Sequence, residues 1–169
     1  MRDIADASGL SPGNLYYYFK GKQEILYFCQ ERALEQMLAS LEQAQNQDGD
    51  VAPRLFTLIH AHVCCLLDEL EDSVEHLMIS GLPPELRDQL IDKRDRYEKG
   101  IRKLIQKGVD RGEFSTEDSA LVTRAILGAA NWTSQWFNPD GSQSVAEIAD
   151  TMAAYLVQGL VASDGESIA

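Results

Sequence analysis

Positive charge is in short supply in this sequence. Fifteen Lys and Arg stand against 27 Asp and Glu, a formal net charge of −12. Such an acidic chain repels phosphates over most of its length, which excludes a generic nucleic-acid coat. No unbroken apolar run of about 18 residues occurs, so no membrane-spanning helix is expected. No signal-peptide pattern opens the chain, because Arg2-Asp3 leads straight into an amphipathic stretch. There are three cysteines, Cys29, Cys64 and Cys65. Their odd number and irregular spacing exclude a disulfide framework and point to a reducing, cytoplasmic setting. Strand alternation, internal repeats and low-complexity tracts are missing. So are a nucleophile–base pair and a glycine-rich phosphate loop, so no enzyme and no cofactor are expected.

What is present is helical periodicity, in a chain that is 44% apolar. Leu26, Cys29, Ala33, Met37, Leu41 and Ala44 step by three and four, predicting a long helix over 22–45. A second helix, with Pro53 in its first turn, is expected to reach about Leu70. It carries Leu55, Leu58, Ile59, His62, Val63, Leu66 and Leu70, a wide face suited to the centre of a bundle. The acidic Glu69, Glu71, Asp72 and Glu75 read as a solvated junction into a short helix over 73–79. Leu82-Pro83-Pro84 breaks the chain. A long helix over 84–111 then turns Leu86, Leu90, Tyr97, Ile101, Leu104 and Ile105 inward, and Gly112 ends it. Ser115 or Thr116 is the expected cap of the next helix, which runs to about Phe137. Ser144 and Glu147 form a capping-box signature for a last helix reaching about Val161. The fold class is all-α.

The first thirty residues differ from the rest. Residues 1–32 hold four basic and four acidic side chains, so the whole excess of negative charge lies beyond them. Residues 2–7 read as a short helix, Ser8-Gly9-Leu10 as a tight turn, Ser11 as an N-cap and Pro12 as the first helical position. Leu15 and Phe19 then face inward with Ile4 and Ala5. Asn14, Tyr16, Tyr17 and Tyr18 are left facing outward or sideways. This is a helix-turn-helix whose second helix offers amphipathic, hydrogen-bonding side chains to a groove. Tyrosine donates to phosphate oxygens and packs on sugars or thymine methyls, and Lys20 and Lys22 follow as phosphate contacts. Ser11, Asn14, Tyr16, Tyr17, Tyr18, Lys20 and Lys22 are the expected DNA-binding set.

The stretch "RDIADASGLSPGNLYYYFKGKQEIL" closely resembles the DNA-binding region of TetR-type transcription regulators. It carries the D-I-A helix, the glycine turn, the L-Y-x-x-F helix and K-x-K-x-x-L at the family's spacing. More loosely, "LPPELRDQLIDKRDRYEKGIRKLIQKGVDRGEF" with "LGAANWTSQWFNPDGSQSVAEIADTMAAYLVQGL" resembles the subgroup controlling fatty-acid or steroid catabolism. The family places a further helix before the D-I-A helix, and Met1 here stands directly before Arg2-Asp3. The expectation is a DNA-binding region lacking its first helix, over residues 1–30, joined to a ligand-binding and dimerisation domain over 31–169.

The resemblance implies a homodimeric repressor that leaves a near-palindromic operator when a small hydrophobic effector binds. The alternative is a dimeric ligand-binding protein that does not bind DNA, for want of the first helix. Ile59, Val63, Leu66, Ile101, Ile105, Leu127 and Trp132 are the expected pocket lining, with Leu58 beside them and Arg124 placed to hold an acidic group. The basic face of Arg87, Lys93, Arg94 and Arg96 suits the anionic tail of an acyl-CoA thioester; a neutral hydrophobe is the alternative. Leu121, Gly128, Trp136, Ile148, Met152, Tyr155, Leu156 and Gly159 are the expected dimer contacts, with Ala129 and Ala130 allowing close approach. His60 and Cys64 are spaced to share an ion, but no further ligand pair completes a tetrahedral set, so no metal is expected.

Overall fold

The computed structural model describes residues 9, 11–68 and 81–162. The expected helices over 2–7 and 73–79, the acidic set from Glu69 to Glu75, and Ile4 and Ala5 lie outside the described residues. Six helices are described: α1 (Pro12–Tyr18), α2 (Lys22–Asn46), α3 (Val51–Asp68), α4 (Pro84–Asp110), α5 (Ser119–Trp136) and α6 (Val145–Gln158). α3 is the hub, packing against α2, α4, α5 and α6; α2 also packs on α4, and α4 on α5. By length and composition alone α3 is apolar enough to cross a membrane, although polar residues interrupt its apolar run. Here its apolar face is the centre of the bundle.

Local chemistry sets the ends of these helices. Ser11 caps α1, its Oγ accepting from the Asn14 amide at 3.2 Å. The first amides of α3, Val51 and Ala52, donate to Glu113 Oε2 at 2.5 and 3.2 Å. The cap of α5 is Asp118, whose Oδ1 accepts from the amides of Ala120 and Leu121, and not Ser115 or Thr116. Those two residues are engaged elsewhere. Thr116 Oγ1 accepts from the Asp118 amide, and the Ser115 amide donates to Leu160 O at 2.8 Å, tying the turn to the end of α6. α6 opens with the expected capping box of Ser144 and Glu147. It closes at Gln158, short of Val161, and the chain then turns Leu160 into the core.

The main core joins Leu34, Met37, Leu41, Leu55, Leu58, Ile59, Leu90, Tyr97, Ile101 and Ile105. A second cluster joins Val63 and Leu67 of α3 to Ala130 of α5 and to Ile148 and Ala149 of α6. On α2 the buried line is Gln30, Leu34, Met37, Leu41 and Ala44, so it passes through Gln30 rather than Cys29. Where α2 crosses α4, a Cβ on Gly100 would overlap the Leu41 side chain, so this contact requires glycine. The expected boundary at residue 30 falls inside α2, which runs without a break from the N-terminal head into the bundle.

Candidate functional site

α1 forms an exposed head. Gly9 takes φ +66° in the preceding turn, a conformation that costs other residues and not glycine. Leu15 is buried, and Phe19 meets Phe28 of α2 edge-on at 5.5 Å between ring centres. That anchors one face of α1. Tyr16, Tyr17 and Tyr18 are 57%, 82% and 70% exposed on the others. Asn14, Lys20 and Lys22 are exposed as well, and neither lysine forms an ion pair among the described residues. The Ser11 hydroxyl is occupied as the helix cap. The head therefore offers three phenols, an amide and two ammonium groups to a partner.

A polar clasp ties α2, which carries this head, to α4 and the turn before it. Gln23 Nε2 donates to Gly81 O at 2.7 Å. The Tyr27 hydroxyl lies 2.8 Å from both Glu31 Oε1 and Gln89 Oε1. Lys93 Nζ donates to Glu31 Oε1 at 2.7 Å and Glu35 Oε1 at 3.0 Å. The hydrogen bonds from Lys93 and Tyr27 hold the Glu31 carboxyl below the usual carboxylate range. Lys93, expected on a basic face open to a ligand, thus already serves as a tie between helices. Arg94 Nη2 donates to Gln30 Oε1 at 2.9 Å, and burial lowers the guanidinium's pKa from its ordinary value. Arg87 lies beside Asp88, at 3.6 Å.

Below the clasp, α2, α3, α4 and α5 line a partly open cavity of about 290 Å³. Ala33, Leu34, Met37, Cys65, Leu66 and Leu127 give it an apolar wall. The rest is polar: Gln30, Arg94, Asp95 and Glu98 on one side, His62, Tyr97, Asn131 and Ser134 on the other. His62 is fully buried and stacks on the Tyr97 ring at 5.6 Å. Its Nε2 lies 3.1 Å from Asn131 Oδ1 and its Nδ1 3.2 Å from the Tyr97 hydroxyl. Asn131 Oδ1 can only accept, so Nε2 carries the proton and Tyr97 donates to Nδ1. Burial pushes the His62 pKa down to about 4 and the Tyr97 phenol up, so both are neutral near pH 7.

The structure distributes the expected lining residues unevenly. Leu66 and Leu127 line the cavity. Leu58, Ile59 and Ile101 border a much smaller void beside it, of about 10 Å³, with His62, Tyr97 and Leu127. Val63 and Ile105 are wholly buried in the core and line neither space, because their helix faces point at neighbouring helices. Arg124 is exposed, and Trp132 is 65% exposed on the outer face of α5, away from the lining. The wall is also more polar than the aliphatic lining expected. Gln30, Glu98, Asn131 and Ser134 went unnoticed in the sequence. The available signal was a polar residue at the spacing of an apolar stripe: Gln30 four after Leu26, Asn131 four after Leu127.

Of the expected dimer contacts, Leu121, Trp136 and Tyr155 are 62%, 49% and 80% exposed, large apolar side chains left open on α5 and α6. Gly128 and Gly159 are exposed, and Met152 and Leu156 half-buried. Ile148 is buried within the protomer against α3, so it supports this face from beneath. His60 and Cys64 lie 3.8 Å apart, with Asp150 3.4 Å from His60. Burial first, then Asp68 and Asp150, raises the Cys64 thiol pKa.

A short tyrosine-faced helix leading into a long helix that walls a cavity is the arrangement of one class, the helical, ligand-responsive transcription regulators. Comparison with known proteins identifies the branch. The family described as "Bacterial regulatory proteins, tetR family" matches residues 1–27, and "Tetracyclin repressor-like, C-terminal domain" matches residues 48–160. The chain belongs to the TetR family, whose members are DNA-binding transcriptional repressors acting as homodimers. The transcriptional repressor KstR2 of Mycolicibacterium smegmatis is 24% identical over 98% of this chain and 82% of its own. The TetR-family regulator PfmR of Thermus thermophilus has a crystal structure 35% identical, with a TM-score of 0.82, over 94% of this chain and 87% of its own. AibR, solved with isovaleryl coenzyme A and operator DNA, shares the fold at 20% identity and a TM-score of 0.73, over 92% and 85% of the two chains.

Proposed function

We propose that this chain represses transcription as a homodimer on a near-palindromic operator and releases it when a small acyl group, carried as its coenzyme A thioester, enters the cavity. One observation carries this reading: α2 is a single helix whose N-terminal end bears the tyrosine-faced head and whose middle lines the cavity. Whatever changes the cavity wall then moves the head, and the ligand's preference for one arrangement equals its effect on DNA affinity. Tyr16, Tyr17, Tyr18 and Asn14 contact the operator groove, and Lys20 and Lys22 its phosphates. The N-terminal head and the bundle are two functional units sharing one helix. AibR's complex with isovaleryl coenzyme A makes short acyl thioesters the first effectors to try.

The test is fluorescence anisotropy with DNA from upstream of the protein's own coding region. Tyr17→Ala and Lys22→Ala should each weaken operator binding without altering the dimer, and Lys22→Ala should flatten the salt dependence by about one phosphate contact per subunit. Isovaleryl-CoA should release the wild-type complex. Unchanged operator affinity in both variants would refute the placement of the reading helix. Effector binding with no operator retained at any salt concentration would establish the alternative, a ligand-binding dimer without DNA activity.

A further inference from the structure

α4 turns four polar side chains toward the cavity, and two of them have unused capacity. The Asp95 carboxylate lies 3.5 Å from Lys99 Nζ, and the Tyr97 hydroxyl is engaged by His62. Arg94 has five N–H donors and uses one, on the neutral amide of Gln30. It forms no ion pair among the described residues. Glu98 Oε1 is buried and accepts no hydrogen bond. Arg94 and Glu98 are one turn apart on one helix face, the spacing at which such residues commonly pair, yet they do not pair here. A partly desolvated guanidinium without a counter-ion and a buried carboxylate oxygen without a donor are both costly arrangements. Both border the same space.

We propose that Arg94 and Glu98 together read the polar head of the cavity's ligand. Arg94 takes a carboxylate or carbonyl oxygen, Glu98 takes a hydroxyl or amide hydrogen close to it, and the apolar chain lies against Leu34, Met37, Leu66 and Leu127. The ligand class is therefore an acyl chain with an acidic group and a neighbouring donor, of which a 3-hydroxy acid is the simplest. The donor matters because Glu98 repels a bare anion while Arg94 attracts it, and a hydroxyl beside the acid turns that repulsion into a hydrogen bond. The oxygen that Arg94 takes sits on C1, as the carboxylate of a free acid or the carbonyl of its thioester, and so stays beside the 3-hydroxyl in both. Gln30, the partner Arg94 shares, lies on α2, so occupancy is felt on the helix that carries the head. This inference rests on the cavity being the effector site.

Titration calorimetry on the full chain separates the possibilities, using octanoate, 3-hydroxyoctanoate, octan-1-ol and the coenzyme A thioesters of the two acids. The expected result is that the hydroxylated form binds about tenfold tighter than the plain form, in acids and thioesters alike. Arg94→Met should weaken every anionic probe about tenfold and leave octan-1-ol unchanged. Glu98→Met should erase the preference for the hydroxyl, with circular dichroism and light scattering showing both variants folded. Acids tighter than thioesters show that Arg94 draws on the full charge of a carboxylate, and the reverse shows that the C1 carbonyl suffices while the carrier adds contacts elsewhere. Equal affinity for plain and hydroxylated forms, or variants that keep both preferences, overturns the proposal. If octan-1-ol alone binds, the proposal falls and the cavity remains the site of a neutral effector; if none of the five binds while isovaleryl-CoA still releases the operator, the proposal falls and the effector reading stands.

Discussion

His62 is a residue whose neutrality the fold enforces. Its pKa falls from the ordinary 6.5 to about 4, chiefly by burial, with the hydrogen bond to Asn131 opposing the shift. Between those values the unfolded chain binds a proton that the folded protein refuses, so stability rises with pH across that window and is lost as pH falls through it. A displacement of this size corresponds to about 3 kcal/mol. Thermal melts of wild type and His62→Gln at intervals from pH 7.0 to 4.0 should therefore converge at the acid end. If the gap between the two proteins stays constant over that range, His62 is not the group responsible.

At the scale of elements, the join between α2 and α3 depends on a buried cation. Arg54 of α3 is 2% exposed and donates through Nε to Ala44 O at 2.6 Å and through Nη2 to Gln45 O at 3.0 Å. These carbonyls belong to the last turn of α2, where the helix leaves its acceptors unpaired and the dipole favours positive charge. Arg54→Met should cost about 2–3 kcal/mol, because it strands two acceptors in the core. Urea unfolding should show a lower midpoint with an unchanged slope. An unmoved midpoint would mean that water replaces the guanidinium without loss. Since α2 is also the lever of the head, loosening its far end should weaken the coupling between effector and operator as well.

For the whole molecule, α5 and α6 leave an apolar face open, and we propose that it carries the dimer contact. Leu121, Trp132, Trp136 and Tyr155 expose more large apolar surface than an isolated protomer of 18.8 kDa usually leaves wet. Light scattering should find a mass near twice that value. Leu121→Asp and Tyr155→Asp should each shift the dimer–monomer equilibrium by more than about tenfold, with helicity unchanged because both side chains lie outside the protomer core. Operator affinity should fall in parallel, since a single head reads only half of a two-fold site. Variants that remain dimeric at nanomolar concentration would place the interface elsewhere.

Periodicity alone determined the all-α class and the order of the helices, because a 3.6-residue repeat and its caps are local properties. Ser11, Pro12 and the outward tyrosines made α1 legible for the same reason: a short helix with one buried face leaves the remaining faces open. The inward set Leu90, Tyr97, Ile101, Leu104 and Ile105 was equally legible. Only the tertiary structure could decide which buried side chains pack and which line a space. Val63 and Leu66 stand three residues apart on one apolar face, but one meets α5 and α6 while the other meets the cavity, and that depends on where other helices pass. It likewise decided that Lys93 ties α4 to α2, that Asp118 displaces Ser115 as a cap, and that Gln30 is buried. Each of these outcomes depends on a partner distant in the chain: Glu31, Leu160 and Arg94 respectively. A local pattern records what a residue prefers; long-range packing decides which preferences are met, and the cavity is the space that packing leaves.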